Sequence, residues 1–190
     1  MAPWSRSVDF SCSNTARTGA SNSQSGSTLA ASQESVTLYG ALAAQRPDAF
    51  NPTLASSLNN LANFLTDLGE REKALAAAQE AVTLYSALGA QRPDAFAPAL
   101  AKLLVLLGTK LAQPSRPADA ITSLAEAVLT LTPTFVRYPS AIAPLMRHIL
   151  REYQRACEAA SVEPDWQLLA PLRAVFEQLK STNLDQGATE

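Results

Sequence analysis

Residues 35–50 read SVTLYGALAAQRPDAF and residues 81–96 read AVTLYSALGAQRPDAF, so thirteen of sixteen positions are identical at a spacing of 46 residues. A fixed internal period of this size constrains the fold more than any other feature of the chain. Each period has to be one supersecondary unit that buries its apolar side by stacking on the next.

The unit can be read from what lies between the two copies. Leu54, Leu58, Leu61, Leu65 and Leu68 follow a 4-3-4-3 spacing, which puts all five on one face of an α-helix. Asn51 and Pro52 offer an N-cap and a first-turn proline for that helix, and Gly69 offers a left-handed cap at its end. Ala74, Ala78, Ala81, Tyr85 and Leu88 repeat the spacing in a second helix whose small residues allow close approach to a neighbour. Gln91-Arg92-Pro93-Asp94 then breaks the chain. Two antiparallel amphipathic helices therefore form one unit, and neither can bury its stripe alone.

These residues resemble the tetratricopeptide repeat. Leu58, Leu61, Ala62 and Leu65 meet the large-large-small-large pattern of the family's helix A, and Ala74, Ala78 and Ala81 meet the small positions of its helix B. The phrase Leu58-Asn59-Asn60-Leu61-Ala62 and the long period look most like the kinesin light chain variety. The resemblance covers residues 28–160. It implies an all-α, right-handed α-solenoid of stacked antiparallel helix pairs with about seven helices, acting as a non-catalytic scaffold that binds a peptide in the groove lined by successive A helices. In the family's geometry Ser56, Asn59, Asn63 and Thr66 face that groove, followed by Lys102, Val105 and Thr109, then by Arg147, Arg151 and Gln154. Asparagine amides both donate and accept, so they can hold an extended backbone, while Lys and Arg select carboxylates. The expected partner is a protein or peptide of acidic character.

The rest of the chain fits around this array. Residues 1–27 carry eight serines and no apolar period, so a disordered tail is expected there. Helix B of the first repeat survives in residues 28–45, with Ser27 as its N-cap, while the helix A that should precede it is missing. The repeat domain is expected to span residues 28–180. Leu100, Leu104, Leu107 and Leu111 renew the leucine stripe in a helix starting near Pro98, and a Pro-started helix after Ser115-Arg116 runs to about Leu131. Thr132-Pro133-Thr134 then reads as a connector, and residues 138–160 as a third helix A in which Leu145, Ile149 and Tyr153 align at a period of about 42. Asp165 caps a last helix to about Lys180, whose apolar side includes Trp166, Leu169, Leu172, Val175, Phe176 and Leu179, and residues 181–190 read as a frayed tail.

An incomplete first repeat leaves one apolar stripe of its helix uncovered, including Leu29, Val36 and Leu42. That stripe motivates a second expectation, an assembly module that stacks through this end as a homodimer, or a fragment of a larger signalling protein. Chemistry is sparse. His148 is the only histidine and lies two and a half turns from Cys157, too far for a nucleophile and its base. No phosphate loop, zinc spacing or nucleophile elbow occurs, so neither a cofactor nor a metal nor an enzyme activity is expected. A net charge of −2 disfavours nucleic acid as the main partner. No apolar run is long enough for a membrane span, and two distant cysteines fit a reducing, cytoplasmic setting.

Overall fold

The computed structural model describes residues 15–111 and 117–187, and within them every element is helical. The order is α1 (Thr15–Gln45), α2 (Pro47–Asp67), α3 (Arg71–Gln91), α4 (Pro93–Leu106) continuing into a π-helical turn (Leu107–Leu111), α5 (Pro117–Arg137), α6 (Pro139–Ala160) and α7 (Trp166–Gly187). Each helix packs against its neighbours in sequence, giving the solenoid-like layering that the period demands. Helices that touch along their lengths and are joined by one to five residues must run antiparallel.

Connections recur with the period. Single residues, Arg46, Arg92 and Tyr138, separate α1 from α2, α3 from α4 and α5 from α6, with backbone angles φ/ψ of −140/76, −139/76 and −129/62. Each is followed by a proline at the first helical position, Pro47, Pro93 or Pro139, where the missing N–H is not needed. Asp48 and Asp94 follow in the first turn, favourably placed against the helix dipole, and Phe50 and Phe96 fold back onto the core. Phe96 meets Tyr85 at 6.3 Å, and Arg92 lies over its ring at 5.4 Å. Asp94 also ties its connector to the following one by accepting from Arg137 and from Thr134, the latter at 3.5 Å.

The connectors correct several sequence boundaries. Helices α2 and α4 start at Pro47 and Pro93, so Asn51 is not a cap and Pro52 and Pro98 lie inside their helices. Pro144 occupies the same place in α6, five residues after its own first-turn proline. Three helices tolerate the same lost backbone bond because each is held by a buried face. Residues 132–134 are not a connector either. Helix α5 continues to Arg137 because Leu131, Thr134 and Phe135 are buried on one side of it, outweighing Pro133. The starting prolines 47, 93 and 139 keep a strict 46-residue step, so the period does not shorten to 42 in α6. The first helix begins at Thr15, ahead of Ser27: no proline interrupts residues 15–45, and Gly19 and Gly26 weaken a helix without ending it. Residues 1–14 lie outside the described residues. At the other end α7 runs through Gly187, past Lys180.

Two described turns from helix A to helix B, two periods apart, share one geometry. Gly69, at φ 76, donates to Thr66 O while Glu70 N donates to Leu65 O at 2.9 Å. Two periods later Ser161, at φ 54, donates to Glu158 O and Val162 N donates to Cys157 O at 2.9 Å. Both are Schellman closures, and the second puts a side chain where glycine fits best.

The core forms where helix A meets the helix B that follows. Ala62 faces the Ala74, Ala78 and Ala81 row, and all four are fully buried. One period on, Leu124 replaces Ala78 and Gly108 replaces Ala62, so the added volume on one helix is matched by removed volume on the other. A Cβ on Gly108 would sit 2.8 Å from Leu124 Cγ and 3.0 Å from Ala120 O.

Gly108→Ala is expected to lower the unfolding free energy by about 1–3 kcal/mol, since overpacking exceeds the gain in helix propensity. Urea denaturation should show a smaller loss for the same change in a Leu124→Ala background, where the clashing Cγ is gone. Ser161→Gly is expected to raise stability by under about 1 kcal/mol, read as a higher urea midpoint at unchanged slope.

Candidate functional site

A cleft of about 470 Å³ crosses the A helices on one side of the stack. Asn63 of α2, then Lys102, Val105 and Leu106 of α4, Thr109 and Lys110 of the π turn, and Leu145, His148 and Glu152 of α6 line it. Its floor is apolar, with Val105 buried and Leu106 and Leu145 half-buried, and its rim carries the polar groups. Glu152 is the most covered charge there, its side chain 18% exposed. Its Oε1 accepts from Arg155 at 3.0 Å and stands 4.0 Å from His148 Nδ1. Lys102 and Lys110 have no carboxylate partner among the described residues.

Of the residues singled out by the sequence, the structure brings Asn63, Lys102 and Thr109 into this cleft together with Val105. Each is partly used by its own helix: Asn63 Nδ2 donates to Asn59 O at 2.8 Å, and Thr109 Oγ1 donates to Val105 O at 2.7 Å. Thr66 likewise donates to Ala62 O at 2.7 Å and does not line the cleft, and neither do Ser56 and Asn59. Ser56 instead shares a hydrogen bond with the Tyr85 hydroxyl.

Arg147, Arg151 and Gln154 are elsewhere. With Pro144 and Leu150 they form a separate shallow recess on α6. The strict period explains the misplacement of Arg147 and Gln154, because the residues 46 positions after Lys102 and Thr109 are His148 and Arg155, and a neighbouring residue points about 100° away around the helix. Arg151 keeps the register of Val105 and still lies outside the cleft. Sequence reasoning missed His148 and Glu152 for this reason, and a count from the prolines would have found them at the positions of Lys102 and Leu106. Leu145 stands at the position of Ala99, which does not line the cleft, so the period did not mark it. Lys110 carried no such signal. It reaches the cleft beside Thr109 because the π turn widens the helix locally, a feature frequent at functional sites.

The proposed open stripe on α1 also changes. Leu29 and Val36 pack against the core with Tyr39, and Leu42 is half-buried. Val128 and Leu131, the counterparts of Val36 and Tyr39 in α5, are fully buried, and among the described helices α1 has a close neighbour on one side only, α2. The side it leaves open is hydroxyl-bearing, however: Thr28, Ser32 and Ser35 stand where α3 has Ala74, Ala78 and Ala81. Ser32 and Ser35 donate to Thr28 O and Ala31 O within the helix, which satisfies them without a partner.

No helix among the described residues is long and apolar enough to cross a membrane, and no cluster of His, Cys, Asp or Glu among them could hold a metal ion. Comparison of the chain with protein-family models, with curated proteins and with solved structures finds no match.

Two tyrosines, Tyr85 of α3 and Tyr153 of α6, are buried. Burial lifts the Tyr85 hydroxyl above the ordinary value of 10, with the Ser56 hydrogen bond acting in the opposite direction. Tyr153, also raised mainly by burial, accepts a hydrogen bond from Asp165 N at 3.1 Å. Because the folded state disfavours both tyrosinates, the stability they confer is complete below the unfolded pKa of about 10 and is lost as pH rises above it. The urea midpoint is therefore expected to fall as pH rises above about 10, the ordinary value for tyrosine, and to fall less steeply in Tyr85→Phe.

Proposed function

We propose that this protein is a non-catalytic interaction scaffold of the tetratricopeptide type, working in the cytoplasm, that takes a short peptide of acidic character across the cleft of α2, α4 and α6. The observation that carries the reading is the pairing of an apolar floor, Val105, Leu106 and Leu145, with two lysines, Lys102 and Lys110, that no carboxylate among the described residues neutralises. Apolar floors hold a few side chains, and unpaired lysines select the charge that accompanies them. Glu152 is held by Arg155, so it does not compete for Lys102 or Lys110. The helix-pair repeat and the A and B helix patterns support the family assignment. Buried, unpaired Cys157 fits a reducing compartment.

The test is fluorescence anisotropy with a panel of short labelled peptides in which one or two Leu or Phe residues are flanked by Asp and Glu. Binding is expected to weaken as salt rises through about 0.15 M, where exposed charges are screened beyond about 8 Å. Lys102→Glu with Lys110→Glu should weaken it about tenfold or more, the scale of a lost charge pair at an interface. Equal affinity in that double variant, or equal affinity for Lys-flanked peptides, would remove the basis for this reading.

A further inference from the structure

The recess holding Arg147, Arg151 and Gln154 shares Leu150 and Gln154 with a deeper cleft of about 490 Å³ between α6 and α7. Leu169, Leu172 and Phe176 make that cleft apolar, Trp166 stands at its edge 65% exposed, and Arg173 lines it. The sequence reading put Trp166 in the apolar side of α7, and the structure leaves it out of the core.

The repeat explains why this gap exists. Arg147, Leu150 and Gln154 occupy the positions of Ala55, Leu58 and Ala62 in α2 and of Ala101, Leu104 and Gly108 in α4. All six of those are buried, and Gly108 shows what covers that face, namely the helix that follows. Helix α7 fails to do so. The period would put Trp166, Ala170 and Arg173 where α3 has Ala74, Ala78 and Ala81, but all three are exposed. The row that α7 turns to the core is Leu168, Leu172, Val175 and Leu179, two residues out of register, with leucines and valine in place of alanines. Gln154 is bulkier than Ala62 and Gly108 in the same way. With both sides enlarged, close approach is lost, and α7 leans onto α5, where Phe176 meets Phe135 at a ring distance of 4.8 Å. The result is a seat on a face that the following helix covers twice and leaves open the third time.

Charge indicates the occupant. Arg147, Arg151 and Arg173 border the seat, and no carboxylate among the described residues pairs with them, whereas Arg137 and Arg155 are paired. We propose that the α6/α7 seat is a second docking site, separate from the cleft of the A helices, which receives an amphipathic helix of another protein carrying Asp or Glu beside its apolar stripe. The partner's stripe covers Leu150, Leu169 and Phe176 and its carboxylates meet the arginines. Helices within this chain do not fit the description: α1 carries one acid, Glu34, after residue 27, and the undescribed residues 1–14 carry one acid, Asp9, against Arg6.

Trp166 reports occupancy directly. In full-length protein with Trp4→Phe, it is the single tryptophan. The probe is a synthetic peptide of about 18 residues, long enough to be helical when held, with Leu at i, i+3, i+4 and i+7 flanked by Glu; a control replaces every Glu by Lys. The expected result is a saturable blue shift of Trp166 emission with the Glu peptide alone. Arg147→Glu with Arg151→Glu, both exposed and safe for folding, should raise the Kd about tenfold or more. Lys102→Glu with Lys110→Glu should leave it unchanged, which separates this site from the one proposed above. No shift at saturating Glu peptide, an equal shift with the Lys peptide, or sensitivity to Lys102 and Lys110 in place of the arginines would overturn the proposal. So would emission that changes with protein concentration, meaning a second copy fills the seat, or with removal of residues 1–14, meaning the chain fills it itself.

Discussion

The distance between helix A and the following helix B governs the rest of this structure. Four alanines, Ala62 on one side and Ala74, Ala78 and Ala81 on the other, set it in the first complete pair, where none of them is exposed. Such contacts are non-directional and gain little per methyl, but a close-packed interface tolerates no unbalanced change of volume. In the second pair the balance is kept by exchange, with Gly108 opposite Leu124. In the third it is not kept, since Gln154 is larger than the Ala62 and Gly108 it replaces and α7 turns a row of leucines and valine to the core, two residues out of register with the alanine row of α3. The same contact thus explains a glycine in a helix interior and an open seat at the far end.

The most strongly repeated stretch is the one with the least to say about ligands. Arg-Pro-Asp-Ala-Phe recurs at two of the three one-residue connectors, where each residue serves the packing: proline starts the helix, aspartate meets the dipole and phenylalanine anchors the turn to the core. The cleft shows the opposite behaviour. At equivalent places three successive A helices carry Ser56, Lys102 and His148, or Asn63, Thr109 and Arg155. Repetition follows packing in this chain, and variation collects where the scaffold faces outward.

That division decided what could be read from residues alone. The period, the helix pairs and the leucine stripe of α2 were legible because apolar spacing and helix geometry are tied directly. Helix starts were less so, since Asn51-Pro52 imitates a capped beginning five residues inside a helix that Pro47 had already opened. In α6 the leucines give way to Met146, Ile149 and Tyr153, and an alignment by leucines slips while one by prolines does not. A slip of one residue turns a side chain about 100°, which is how Arg147 came to stand for His148. Asn63, Lys102 and Thr109 were legible because they lie before the slip. The π turn was not, as nothing in Leu107-Gly108-Thr109-Lys110-Leu111 announces it until Leu124 is known to lie against Gly108.

The two ends of the described stack differ in chemistry. At α1 the row that a preceding helix would cover carries Thr28, Ser32 and Ser35, and the two serines spend their donors on carbonyls of their own helix. Such a surface tolerates water. At α6 and α7 the open surface is apolar and bordered by three arginines without acidic partners among the described residues. Head-to-tail stacking of identical chains would set hydroxyls against leucines and arginines, leaving the guanidinium groups covered and uncompensated, and an uncompensated buried charge costs several kcal/mol, roughly 3–5 by mutational data. A row of alanines at α1 would have invited open-ended filaments, since the interface between unlike ends does not close on itself. Serine at two of those positions removes the invitation while keeping the helix, and it leaves the arginine-bordered end to a partner that brings its own carboxylates.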